Sequence, residues 1–256
     1  MCYDDQARPP APPSAGAPAQ GADLILTSAD GTAVAAYVAT PATPGGAQIL
    51  IYPDVRGLHA FYKALALRFA EVGVRALAID YFGRTAGLEG RDDSFDYMPH
   101  VQQIRLPTFL GDVAAALAYL RQGPGAAAPT FVVGFCMGGS LALHTGTQDL
   151  GLAGVIAFYA GLSRDFAGAG TALERAPAMR VPVLGLYGGA DPGIPPAQVA
   201  ALDAALDAAG VPHTIVTYPD APHSFFDRRA TDYAAASADA WQRILAFIAA
   251  PAKGHT

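Results

Sequence analysis

The residues with the most chemical promise are five in succession, Gly134-Phe135-Cys136-Met137-Gly138. They have the form G-x-C-x-G, between a run that reads as a strand and one that reads as a helix. A strand that turns at once into a helix forces the central residue into a strained conformation and lifts its side chain above the sheet. Side chains two positions either side would strike neighbouring backbone, which is why glycine stands at both. The sulfur would then face the positive end of the following helix, expected over Ser140–Thr147, which favours a thiolate. The amide of Met137 is positioned to meet an oxyanion developing beside the sulfur.

A cysteine nucleophile needs a base and an orienting acid. His223 lies in Pro219-Asp220-Ala221-Pro222-His223-Ser224, just past an apolar run, where proline bracing suits a positioned general base. The other histidines (59, 100, 144, 213 and 255) fall within or at the ends of expected elements, in the tail, or in an irregular stretch, and are read as filler. Of these His100 is the one whose stretch could border the site. Asp191 follows Leu186-Tyr187-Gly188-Gly189-Ala190, again at a strand end. Taken alone, beside Pro192 and Gly193, it reads equally well as a turn aspartate. Chain order decides: nucleophile 136, acid 191 and base 223 follow the order of α/β-hydrolases.

The elements that must position these residues can be read from periodicity. Leu24–Leu26 and Ala33–Val38, joined through Asp30-Gly31, form a hairpin. Six further strands are expected over 48–52, 74–79, 130–133, 154–158, 183–187 and 214–218, mostly continuous apolar runs suited to burial on both faces. Helical spacing appears over about 61–72, 107–121, 140–147, 196–209 and 232–249. Strand and helix in alternation predict an α/β fold: a mostly parallel eight-stranded sheet, a leading antiparallel hairpin, and helices on both faces. Ligands bind such sheets at the carboxyl ends of the strands, where all three candidates lie. Residues 81–104 carry Gly, Asp, Arg and aromatic residues without period and read as an excursion beside the site. The Pro/Ala-rich segment 1–22 is expected to be an extended or disordered arm that adds little to the core, with 23–256 as one catalytic domain.

Composition narrows the function. A net charge of −6 with scattered bases argues against nucleic acid as a partner. The uncharged stretch from Gln122 to Gln148 is too rich in glycine and proline for a membrane span. The first residues lack the pattern of a secretory signal, so a soluble, cytoplasmic protein is expected. Cys2 and Cys136 are not expected to pair, and no Cys/His spacing suits a metal.

Gly134-Phe135-Cys136-Met137-Gly138-Gly139, Tyr187-Gly188-Gly189-Ala190-Asp191, Pro222-His223-Ser224-Phe225-Phe226 and Asp80-Tyr81-Phe82-Gly83-Arg84 together resemble the dienelactone hydrolase (carboxymethylenebutenolidase) family over about residues 24–249. The resemblance implies attack on an enol-lactone ester by the cysteine, an acyl-enzyme, a carboxylate product and no cofactor. It implies that the amide of Val55 is the second oxyanion donor, that Arg84 grips a substrate carboxylate, and that Ser224 lies beside that anion. Arginine suits the task because its fork matches two carboxylate oxygens. Two positions depart from the family: Asp54 stands where a substrate-gated glutamate is expected, and Asp227 where a second carboxylate-binding arginine would fall. The expected substrate is a small ester or lactone, handled by a monomer or small homo-oligomer. A broader esterase or thioesterase, and a non-catalytic receptor on the same scaffold, are the alternatives.

Overall fold

A computed structural model describes residues 5–250 of the chain. Cys2, His255 and the ends of both expected segments lie outside the described residues. The chain opens with β1 (Ala19–Thr27) and β2 (Ala33–Pro41), paired antiparallel from Ala19↔Pro41 to Thr27↔Ala33. Then follow β3 (Gln48–Tyr52), α1 (Ala60–Ala70), β4 (Arg75–Ile79), the single-turn helices α2 (Gly83–Ala86) and α3 (Met98–Val101), and α4 (Leu106–Leu120). The second half runs β5 (Thr130–Phe135), α5 (Met137–Gly146), β6 (Gly154–Phe158), α6 (Ala172–Arg175) and β7 (Val183–Gly188). It closes with α7 (Pro196–Ala208), β8 (His213–Tyr218) and α8 (Ala234–Ala249).

The eight strands form one sheet in the order β1-β2-β4-β3-β5-β6-β7-β8, parallel from β4 to β8. The continuous apolar runs β3, β4, β5, β6 and β7 are buried along their whole length, as central strands covered on both faces must be. The edge strands β1 and β8 are more exposed. Helices α1 and α8 share a layer, joined by Phe69 and Trp241 with ring centroids 4.8 Å apart. Helices α4 and α5 meet over Tyr52, which contacts Phe109 (5.0 Å between rings) and Thr145 Oγ1 (3.3 Å).

Two expectations change. Helix α5 begins at Met137, three residues before the predicted start, although Gly138 and Gly139 are poor helix formers. Tertiary packing overrides propensity here: a Cβ on Gly138 would collide with Pro53 O, and one on Gly139 would come 2.8 Å from Phe158 O. The N-terminal arm is also more engaged than its composition suggests. Residues 19–22 already belong to β1, Pro9 and Pro12 are buried, and the indole Nε1 of the buried Trp241 donates to Pro10 O at 2.9 Å. Proline lacks an N–H but keeps its carbonyl, so an extended arm can still satisfy a buried donor.

Candidate active site

Cys136 occupies the N-cap of α5 with φ 55° and ψ −116°, a left-handed backbone conformation that a non-glycine residue adopts only when its surroundings impose it. The surroundings are backbone. A Cβ on Gly134 would overlap Gly138 O, and Cys136 N donates to Phe158 O at 3.1 Å. The thiol is partly exposed. Met137 N is the first amide of α5, where no intrahelical carbonyl is available to it.

His223 and Asp191, distant in sequence, are in hydrogen-bond contact. His223 Nδ1 donates to Asp191 Oδ2 at 2.6 Å, with the carboxylate buried and the imidazole 30% exposed. An ionised carboxylate only accepts, so the proton resides on Nδ1 and Nε2 is the basic nitrogen. The turn reading of Asp191 holds as well, since its other oxygen accepts from Gly193 N at 2.8 Å. One carboxylate thus shapes its own loop and orients the histidine. The His223 loop is carried to the elbow by aromatic contacts: Phe226 stacks on Phe135 (6.0 Å), and Tyr159, at the end of β6, packs against His223 (4.8 Å). Ser224 is buried with φ 64°, and its carbonyl accepts from Asp227 N and Arg229 N, so it turns the chain behind His223.

Asp54 and Val55 lie in the turn after β3. Asp54 is buried, its Oδ1 accepts from Arg56 N at 2.8 Å, and its N–H donates to Tyr62 OH at 3.1 Å. Tyr81 OH donates to the carbonyls of Pro53 and Asp54. Asp80, bonded to Leu58 N (3.1 Å) and Arg91 Nη2 (2.7 Å), ties the same turn to the excursion after β4. The Asp54 carboxylate therefore caps this turn, and it also lies close enough to Asp227 to act on it. Burial, then the charge of Asp54, push the Asp227 carboxyl well above the ordinary carboxylate range. Asp227 accepts from Tyr159 OH (2.9 Å) and from Arg228 N.

Arg84 is held in ion pairs with two aspartates. Its Nε and Nη2 bond Asp112 (3.2 and 2.6 Å), its Nη1 bonds Asp30 Oδ2 (2.5 Å) and Thr32 Oγ1 (2.8 Å), and Nη2 also reaches Thr108 O (3.4 Å). Every arm of the guanidinium is engaged, tying the β1–β2 turn to α4. The hydrogen bonds it donates to Asp112 and then to Asp30 raise its pKa further above the usual arginine value.

Residues missed at the sequence level include Tyr159 and Arg164. Both lie at or just past the end of β6, and the strand-end rule applied to every strand would have found them. Of the histidines read as filler, His144 is buried in α5 with its pKa lowered to about 4 by burial, and His213 pairs with Asp203 (3.1 Å). His100 stacks on Phe95 (5.3 Å) within the excursion. Among the described residues two groups bring three metal-type ligands together, Asp5/His59/Asp93 and Asp203/Asp207/His213. In both the histidine already pairs with a carboxylate.

The sequence model of the dienelactone hydrolase family matches residues 34–251. A protein of Methylorubrum extorquens, provisionally assigned as a carboxymethylenebutenolidase, is 30% identical over 82% of this chain and 75% of its own length. A Salmonella typhimurium protein with the same provisional assignment is 29% identical over 89% of this chain and 87% of its own. The crystal structure of a provisionally assigned dienelactone hydrolase from Klebsiella pneumoniae superposes with a TM-score of 0.79 at 26% identity, covering 91% of this chain and all (100%) of that one.

Proposed function

This chain belongs to the dienelactone hydrolase family and is a carboxylic ester hydrolase, and from that premise we propose that Cys136, His223 and Asp191 form a triad that cleaves a small ester or lactone through a cysteine acyl-enzyme. The observation that carries this reading is the 2.6 Å bond from His223 Nδ1 to Asp191 Oδ2, on a loop packed against the strained Cys136 turn. His223 Nε2 takes the thiol proton, and the sulfur attacks the ester carbonyl. The oxyanion is met by the amides of Met137 and Val55. Collapse breaks the C–O bond, and the alcohol leaves with the proton from His223; from a lactone it stays tethered to the acyl group. Water, deprotonated by His223, then cleaves the thioester and releases the carboxylate product.

A wider esterase or thioesterase is the second reading. It is favoured by the engagement of Arg84 in structural ion pairs and by Asp227 being an acid, so neither position that the resemblance assigns to carboxylate recognition offers a free cation. Hydrolysis of chromogenic esters and thioesters by wild type, Cys136→Ala and Cys2→Ala tests the mechanism. A stoichiometric burst with an acyl adduct on the Cys136 peptide is expected for wild type, and none for Cys136→Ala. Undiminished turnover in Cys136→Ala would overturn it.

A further inference from the structure

Arg164 lies in the segment after β6, which is pinned to the elbow helix α5 at two points. Ser140 Oγ donates to Gly161 O at 2.6 Å, and His144 packs edge-on against Phe166 with ring centroids 5.5 Å apart. Between these anchors the Arg164 guanidinium lies over the Phe166 ring (5.2 Å), and its Nη2 donates to Val101 O of α3 (3.0 Å). It thus spans from the β6 segment to the excursion whose Tyr81 holds the turn after β3.

Its surroundings differ from those of Arg56, Arg84 and Arg91, each of which is paired with an aspartate. Among the described residues no carboxylate lies within the 4.0 Å of an ion pair with Arg164. The adjacent Asp165 is turned back on its own loop, accepting from Gly168 N (2.9 Å) and Gly170 N (3.1 Å). Burial lowers the Arg164 pKa from its usual value, and the neighbouring Cys136 and Tyr81 side chains act on it in the opposite direction. A half-buried guanidinium held by one carbonyl and one ring carries a desolvation cost that an anionic ligand would offset.

We propose that Arg164 recognises the anionic end of the substrate, so that the preferred substrates are esters or lactones bearing a carboxylate, held between the β6 segment and α3 while Cys136 attacks the ester carbonyl. This rests on the cysteine-hydrolase reading, and it places anion recognition away from both positions 84 and 227. The fork donates up to two hydrogen bonds to the carboxylate, and no covalent step is added.

Two measurements test it on the full chain. The first is kcat/KM for mono-p-nitrophenyl succinate relative to p-nitrophenyl butyrate, matched esters differing in one negative charge. The ratio is expected to fall tenfold or more in Arg164→Gln and to recover partly in Arg164→Lys. The second needs no turnover: the rate of iodoacetate relative to iodoacetamide at Cys136, followed on its peptide by mass spectrometry, is expected to fall at least threefold in Arg164→Gln. Unchanged ratios in an active enzyme would overturn the assignment of Arg164 alone. Wild type inactive on both esters would instead defeat the hydrolase reading, and the alkylation ratio would still decide for or against an anion site at Arg164.

Discussion

Replacing Arg84 with alanine removes a cation that three elements share, and the cost can be worked from its partners. Asp112 is 2% exposed and, among the described residues, would keep only the Ser28 hydroxyl as a partner. Removing one member of a fully buried ion pair costs about 3–5 kcal/mol, because a charge is stranded in low dielectric. Arg84 is 20% exposed, so water can reach the gap it leaves and soften that penalty. The pair with Asp30 is 51% exposed on the acid side, where water screens it, and adds little. A total of about 2–4 kcal/mol follows, which for a domain of this size lowers Tm by roughly 5–15 °C. Calorimetry or urea unfolding would measure it. Adding Asp112→Asn to Arg84→Ala should recover about half of the loss, since the amide keeps the Ser28 hydrogen bond without a stranded charge. The relative kcat/KM for carboxylated and neutral esters should stay within about threefold of wild type, far below the roughly 2–5 kcal/mol that loss of a carboxylate-binding arginine would cost. A Tm shift below about 2 °C accompanied by a large, selective loss on the carboxylated ester would refute this reasoning and return Arg84 to substrate binding.

Asp191→Asn should lower kcat by about 100-fold or more while the fold persists, because the amide can present its N–H to Nδ1 and favour the wrong tautomer; near-normal turnover would remove Asp191 from the mechanism. Asp227→Asn should stabilise the protein at neutral pH. The folded state raises this acid's pKa above its unfolded value, so the native state binds the proton more tightly and the wild type loses stability as pH rises from about 4 toward the folded pKa. The variant should show a shallower fall over that window in pH-dependent urea unfolding, and parallel curves would contradict the assignment. Removing residues 1–14 should cost about 2 kcal/mol or more by stranding the Trp241 indole N–H, visible as a drop of several degrees in Tm; an unchanged Tm would show that the arm is dispensable. Gly138→Ala should fail to fold or lose most activity, since its Cβ has only the Pro53 and Tyr52 backbone to push against, and a normal, active variant would deny the tight elbow.

Sequence alone was sufficient for the sheet, for the glycines around the turn at Cys136, and for choosing Asp191 and His223 as residues at strand ends. Each is written in local pattern: uninterrupted apolar runs for strands buried on both faces, a strand-to-helix switch around Cys136, and chemistry at strand ends. Local propensity misplaced the start of α5, because Gly138 and Gly139 are there for close backbone approach and only the packed neighbours reveal that demand. The partners of Arg84, Arg164 and Asp227 were equally out of reach. A charged side chain means different things according to what lies within a few ångströms of it, and those partners come from distant parts of the chain. Asp30 and Asp112 consume Arg84, Val101 and Phe166 hold Arg164 without neutralising it, and Tyr159 and Asp54 surround Asp227. The positions proposed for the nucleophile and its base were legible because strand ends declare themselves in sequence, whereas the availability of a charge is decided only when the tertiary structure assigns its neighbours.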